Sequence, residues 1–186
     1  MNISHEDKVS MGFEHRRDLC YGEAEFLHFV PLIEAMNPQK GDVFYDIGCG
    51  TARPLVVAAL AYSNFISKCK GVELLEGLAD TAKKCAERTA ILSAEAEIEN
   101  IPAIEIIKGD LFEYDWPKDA DLVFCANVLL GDELNERLTD MMAQLRKGVR
   151  VAVLNALPQR PYLKKYFQMI TRMSWGYHTC IYYEIV

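Results

Sequence analysis

A glycine turn between a short strand and a buried helix constrains the fold of this chain more than any other feature. Residues 43–47 form a short apolar, β-branched and aromatic run that contains Asp46, and Gly48-Cys49-Gly50 follows it directly. The apolar segment 51–61 comes next, with Pro54 in the first turn of the predicted helix, where proline is tolerated. A strand, a glycine turn and a helix in this order are typical of an open parallel sheet, which binds ligands at the carboxyl ends of its strands.

The same alternation of strands and helices continues along the chain. Apolar runs predict strands ending near Glu73 and covering 104–107, 121–125 and 149–154. Helical spacing predicts helices over 23–36, 76–97 and from Asp132, the expected N-cap, towards Gly148. The segments 169–174 and 178–186 predict a closing antiparallel hairpin. We therefore expect an α/β fold: a Rossmann-like, seven-stranded, mostly parallel sheet with a C-terminal antiparallel hairpin and helices on both faces.

The domain organisation follows from where this pattern begins. Residues 1–18 are polar, and we expect them to form a flexible N-terminal arm or a short lid. Residues 19–186 contain no repeat, low-complexity tract or linker, and we expect one catalytic domain there.

Charge and cysteine usage exclude several functional classes. The chain has 20 Lys and Arg against 27 Asp and Glu, which gives a net charge of −7. This charge argues against direct nucleic-acid binding and favours a cationic substrate. The alternative is that the charge only keeps the protein soluble.

The six cysteines form no Cys-x-x-Cys pair, so we expect a reducing compartment and no metal. No apolar stretch could span a bilayer, and we expect a cytoplasmic or nuclear protein without a membrane partner. The sequence leaves its oligomeric state open.

The glycine turn is suited to a nucleoside that carries no phosphate. The dinucleotide fingerprint needs a third small residue where this chain has Arg53, and no Gly-Lys-Ser/Thr follows to make a P-loop. Asp46 is placed to meet an ammonium group, and Glu73, at the next strand end, to accept hydrogen bonds from both ribose hydroxyls. Asp110 could accept from an adenine amine while Leu111 or the next residue packs on the ring. The alternative interpretations are a plain strand-to-helix turn for the glycines, a solvated acid for Glu73 and a helix N-cap for Asp110.

These residues resemble a class I S-adenosylmethionine-dependent methyltransferase, and more narrowly the catalytic domain of the Dot1 family of protein-lysine methyltransferases. The resemblance begins near Tyr21 and reaches the C-terminus. The matching motifs are Tyr21-Gly22-Glu23, Asp46 through Gly50, Gly71-Val72-Glu73 and Gly109-Asp110. It implies S-adenosylmethionine as cofactor, bound by Tyr21, Glu23, Asp46, Gly48, Gly50, Glu73, Asp110, Leu111 and Asn127, with the Tyr-Gly-Glu loop closing over the methionine part.

The resemblance also implies a narrow lysine channel on the acceptor side. Asn127 aligns with an Asn near the transferring methyl group, and Ser174-Trp175 and Tyr182-Tyr183 align with the channel aromatics. Trp175 and Tyr182 are then channel walls, and the Asn127 carbonyl oxygen orients the methyl group or the amine. The chain differs from the family at Ala24, Leu111 and 128–130, and these differences affect the expected shape of this channel. The alternatives are a packed hairpin for the aromatics and a turn residue for Asn127.

The expected function is methyl transfer from S-adenosylmethionine to a lysine of a protein substrate. An apolar aromatic channel would favour the free amine by desolvating it. Two other functions remain open: a small-molecule methyltransferase that shares the cofactor half, and a catalytically silent scaffold that binds S-adenosylmethionine.

Overall fold

The computed structural model describes residues 3–13, 15–16 and 22–186, and this part of the chain forms seven strands and five α-helices. The strands are β1 (Asp42–Ile47), β2 (Ile66–Glu73), β3 (Ala103–Lys108), β4 (Leu122–Cys125), β5 (Arg150–Val153), β6 (Leu163–Met173) and β7 (Gly176–Ile185). The helices are α1 (Ile3–Ser10), α2 (Phe26–Glu34), α3 (Arg53–Ala61), α4 (Glu76–Glu95) and α5 (Asp132–Met142). None of these helices combines the length and the apolarity needed to cross a membrane.

All seven strands belong to one sheet in the order β3-β2-β1-β4-β5-β7-β6. Strands β1 to β5 are parallel, whereas β7 runs antiparallel to β5 and pairs with β6 as a hairpin. The predicted fold class is confirmed. The strand order reverses between β1 and β4, and such a switch point opens a crevice at the carboxyl ends of the strands. Asp46 lies there in register with Gly71 on one side and Phe124 on the other.

The core consists of two apolar layers, one on each face of the sheet. Successive side chains of β1 alternate between them, because strand residues point to opposite faces. Phe44 packs in the layer that includes α2 and α3, and Tyr45 in the layer that includes α5 and Trp116. Both faces are therefore covered, as the continuous apolar character of the strands predicts.

Three local features differ from the sequence prediction or extend it. Helix α5 begins at Asp132 with Gly131 at the N-cap and no side-chain cap, so the prediction that Asp132 caps the helix was wrong. Asp132 lies inside the first turn, where its charge instead complements the helix dipole.

Strand β6 begins at Leu163, well before the predicted start. The polar segment 1–18 contains α1, which packs on α4, and its flexibility stays a prediction.

Candidate active site

The glycine turn after β1 lies against the end of β2. Gly48 and Gly50 have positive φ angles of 81° and 54°, which glycine adopts without strain. The backbone N–H groups of Gly48 and Cys49 both donate to the carbonyl of Val72, at 2.9 and 3.1 Å. A Cβ at Gly71 would lie 2.6 Å from the Cys49 sulfur, so a side chain there would push the turn away. The glycine turn after β1 and Gly71 of β2 are therefore in direct contact with each other.

Glu73 is fixed by the turn and by the start of α4. Its carboxylate accepts the N–H of Gly50 at 2.8 Å through Oε2 and the N–H of Leu75 at 2.9 Å through Oε1. Burial raises the pKa of Glu73, although these N–H donors act to lower it. A carboxylate has about four acceptor sites, so these backbone donors leave acceptor capacity for a ligand. Glu73 is therefore a rigid acceptor suited to a pair of hydroxyl groups.

Asp46 is a buried carboxyl at the end of β1, with only 2% of its surface exposed. Burial, and next the charge of Glu73, raise its pKa well above the ordinary value. Among the described residues, no Lys, Arg or His forms an ion pair with Asp46. A buried carboxylate without a counter-charge is costly, so the site favours a ligand that brings a cationic group to it.

A cavity of about 890 Å³ opens at the carboxyl ends of the strands. Five residues predicted to contact the cofactor line it together: Gly48, Gly50, Glu73, Asp110 and Leu111. Asp110 Oδ1 accepts the N–H of Phe112 at 2.8 Å, which holds this acid in a turn after β3. The volume is in the range of sites for cofactors and other small molecules.

A small pocket of about 30 Å³ adjoins the large cavity at the end of β1. Asp46 and Glu23 line it, and the Glu23 carboxylate pairs with the Arg53 guanidinium at 2.8 Å. Four residues line both spaces: Gly22, Gly48, Ala126 and Trp175. The two spaces are therefore neighbouring parts of one site, with the buried acid Asp46 at its narrow end.

Trp175 forms a wall between the N-terminal segment and the hairpin. Its ring packs so closely on Gly22 that a Cβ there would lie 2.3 Å from Trp175 Cε3. Ser174 accepts the N–H of Glu23 with its hydroxyl and donates its own N–H to the Glu23 carbonyl, at 3.0 and 2.9 Å. The glycine of the Tyr-Gly-Glu motif thus makes room for the tryptophan of the Ser-Trp motif. Tyr21 itself lies outside the described residues.

Asn127 lies behind the cavity wall, although the resemblance places it near the reacting methyl group. Its side chain is fully buried, and Oδ1 accepts the N–H groups of Leu154 and Asn155 at 3.0 and 2.8 Å. Its Nδ2 donates to Asn135 Oδ1 at 2.8 Å and to the Asn155 carbonyl at 3.1 Å. The oxygen expected to orient a substrate therefore holds the ends of β4 and β5 together. The neighbours of Asn127 in the chain, Ala126 and Val128, line the cavity instead.

Tyr182 is also separated from the cavity. It is fully buried in the core, and its hydroxyl donates to the carbonyl of Leu32 in α2 at 3.2 Å. The alternation along β7 places His178 and Tyr182 on the same face, but His178 lies nearer the hairpin turn and lines the cavity. His178 was not predicted as a site residue, and its ring centre is 5.6 Å from that of Trp175.

Other cavity residues carried no sequence signal for a site. Phe13 and Arg16 come from the N-terminal segment, and Arg137 of α5 stacks on Phe112 with 4.2 Å from its guanidinium carbon to the ring centre. Each lies far along the chain from the glycine turn, and no spacing links them to it. No cluster of three potential metal ligands occurs in the part of the chain that the structure describes.

The sheet order and the glycine turn define the class I S-adenosylmethionine-dependent methyltransferase fold. TrmN from Thermus thermophilus superposes with a TM-score of 0.66 at 17% identity, over 85% of this chain and 48% of that one. Magnesium protoporphyrin IX methyltransferase from Synechocystis PCC 6803, with bound S-adenosylhomocysteine, gives a TM-score of 0.62 at 15% identity over 99% of both chains. At such low identity these matches show the fold alone.

The chain belongs to the family described as histone methylation protein DOT1, whose model matches residues 3–177. A similar protein from Cryptococcus neoformans var. neoformans, named histone-lysine N-methyltransferase, H3 lysine-79 specific, is 25% identical over 173 residues. That match covers 89% of this chain and 25% of the fungal protein. The chain thus spans about a quarter of the length of this relative.

Proposed function

We propose that this protein is a methyltransferase that binds S-adenosylmethionine in the large cavity and transfers its methyl group to a lysine of a protein substrate. The observation that carries the cofactor proposal is the pairing of two buried acids at adjacent strand ends. Glu73 keeps acceptor capacity beyond its backbone partners, and Asp46 has no cationic partner among the described residues. A nucleoside with an amino-acid end satisfies both.

The residues present fit this cofactor along its length. Glu73 would accept from both ribose hydroxyls, and Asp46, with Glu23 beside it, would face the ammonium group. Asp110 and Leu111 would hold the adenine by a hydrogen bond and by apolar contact, while Gly48 and Gly50 allow close approach of the backbone. The match to the Tyr-Gly-Glu motif supports Tyr21 as a further contact. Arg53 is occupied with Glu23, so it does not make the turn a phosphate site.

The acceptor would enter beside Trp175. When bound, the cofactor supplies an activated methyl group, and this chain's residues must present a neutral amine to it. A lysine is almost fully protonated at neutral pH, and the apolar wall of Val128, Leu129 and Trp175 would desolvate it and favour the free amine. Asn127 and Tyr182 would act as positioning residues, holding the β4 end and α2 behind this wall. The names of the curated relatives support a lysine of histone H3 as acceptor.

One observation favours a second candidate, a small-molecule methyltransferase. The polar groups of Asn127 and Tyr182, expected to line a lysine channel, are both engaged inside the core. The acceptor side therefore differs from the channel that the resemblance implies, and the assay must include both kinds of acceptor.

Calorimetry with S-adenosylhomocysteine tests the cofactor proposal. We expect the wild type to bind, and Glu73→Ala to weaken binding at least about tenfold, because hydrogen bonds to a charged group contribute about 1.5 kcal/mol or more each. Glu76→Ala is the matched control, since this exposed acid lies three residues further along, at the start of α4, and pairs with Lys108. Equal affinity of the Glu73→Ala and Glu76→Ala variants would refute the ribose contact.

A transfer assay tests the acceptor. The wild type is incubated with methyl-labelled S-adenosylmethionine and either recombinant histone H3, dialysed lysate protein or the small-molecule fraction of the same lysate. We expect label on lysine side chains by mass spectrometry. Label confined to the small-molecule fraction would replace the lysine proposal with the second candidate. Binding without label in any fraction would indicate a silent scaffold.

A further inference from the structure

The N-terminal helix is attached to the start of α4, close to Glu73 at the end of β2. Asp7 Oδ2 in α1 accepts the N–H of Gly77 in the first turn of α4 at 2.7 Å. Two residues earlier, Leu75 donates its N–H to Glu73. Helix α1 is therefore docked at the edge of the candidate cofactor site.

The turn at the end of α1 precedes two residues that line the cavity, Phe13 and Arg16. Gly12 adopts a left-handed φ of 70°, and the N–H groups of Gly12 and Phe13 donate back to the carbonyls of Val9 and Lys8. Such a glycine-containing turn ends a helix and reverses the chain. Phe13 and Arg16 then line the large cavity together with Glu73, Leu75 and Leu78, and the Arg16 guanidinium lies 5.4 Å from the Phe13 ring centre.

We infer that α1, with Phe13 and Arg16 beyond its end, forms an integral wall of the ligand site, in which Phe13 and Arg16 contact the bound nucleoside and Asp7 is a positioning residue. The inference rests on the proposed function for the identity of the ligand. Phe13 would cover the nucleoside and slow its release, because an aromatic ring removes a large apolar area from water. Asp7 would act at a distance by keeping α1 attached to α4.

The test is stopped-flow dissociation and calorimetry of S-adenosylhomocysteine with four variants. Phe13→Ala and Asp7→Ala should each raise the dissociation constant roughly tenfold, mainly through a faster dissociation rate. Asp7→Asn should restore most of the affinity, since its amide oxygen can still accept from Gly77. Glu6→Ala, an exposed acid on the same helix, is the control and should stay within about twofold of wild type.

The outcomes separate this inference from the proposed function. A wild type that does not bind S-adenosylhomocysteine would refute both. Binding that is lost in Glu73→Ala but unchanged in Phe13→Ala would overturn the wall alone, and unchanged dissociation in Asp7→Ala would overturn the positioning role of Asp7. Circular dichroism of each variant checks that the domain remains folded, so a loss of affinity reports on the site.

Discussion

At the residue scale, the site depends on two acids whose charged forms are destabilised by their burial in the fold. Asp46 and Glu73 are both buried, and both have raised pKa values because burial disfavours their charged forms. Burying these acids destabilises the fold, so another requirement must favour their position. Buried acids with shifted pKa values in a cleft are typical of functional sites. The same residues match the family motifs, so chemistry and resemblance support one assignment.

The raised pKa of Asp46 predicts how stability depends on pH. The folded state binds this proton more tightly than the unfolded chain does. The free energy of unfolding should therefore fall as pH rises from the ordinary aspartate pKa, about 4, through the raised value. Asp46→Asn removes this contribution, so the variant should gain stability over wild type at about pH 8 relative to about pH 4. Urea unfolding of wild type and Asp46→Asn at the two pH values measures this difference in stability.

Asp80→Asn is the control for this prediction, because Asp80 is an exposed acid on α4. Its stability difference from wild type should change little between the two pH values. The assignment of Asp46 fails if the Asp46→Asn and wild-type stability curves run parallel across this range.

Five residues predicted for the cofactor side lie together around one cavity, whereas Asn127 and Tyr182, predicted for the acceptor side, do not line it. Glu73, Asp110 and Leu111 line the cavity, because Glu73 ends β2 and the other two lie in the turn after β3, and the carboxyl ends of these strands face the crevice. Asn127 also follows a strand, yet its side chain turns into the protein to meet Asn155, 28 residues later. A partner so distant in sequence leaves no local pattern, and so the orientation of Asn127 could not be predicted.

At the element scale, Asn127 joins the ends of two strands. Asn127→Ala would leave the buried N–H of Leu154, and that of Asn155, without their acceptor. We expect the free energy of unfolding to fall by about 2–4 kcal/mol, which urea unfolding measures. Gln144→Ala, at an exposed position after α5, is the control. A loss of transfer activity at unchanged stability would instead indicate direct contact with the substrate.

The hairpin of β6 and β7 carries the acceptor wall. Trp175→Ala should reduce methyl transfer by about tenfold or more while S-adenosylhomocysteine affinity stays near wild type, because the ring covers the acceptor side. Tyr177→Ala is the control, since this neighbouring aromatic is 72% exposed. Parallel transfer and binding measurements are needed. Equal loss of both in Trp175→Ala would show that the ring supports the site as a whole.

The elements themselves were largely readable from the sequence. Strands that are buried on both faces appear as continuous apolar runs, so β1 and β4 were located closely. Strand β6 was predicted too short because its outer half is exposed and carries Lys164 and Lys165, which give no apolar signal. Helix α1 was missed for a similar reason: its residues are polar, and its contact to Gly77 spans 70 positions.

At the scale of the whole molecule, the sheet brings residues from distant segments to one crevice. The N-terminal segment, the ends of β1 to β4 and the hairpin turn all contribute to the same cavity. The acidic balance of the chain, −7, suits a cationic acceptor such as a lysine side chain.

A crystal structure of the protein soaked with S-adenosylhomocysteine tests the central claim most directly. The account predicts ligand density in the large cavity, with both ribose hydroxyls in hydrogen-bonding distance of the Glu73 carboxylate and the amino-acid end directed towards Asp46. An empty cavity at saturating ligand, or a phosphate-bearing nucleotide retained on the glycine turn, would contradict it.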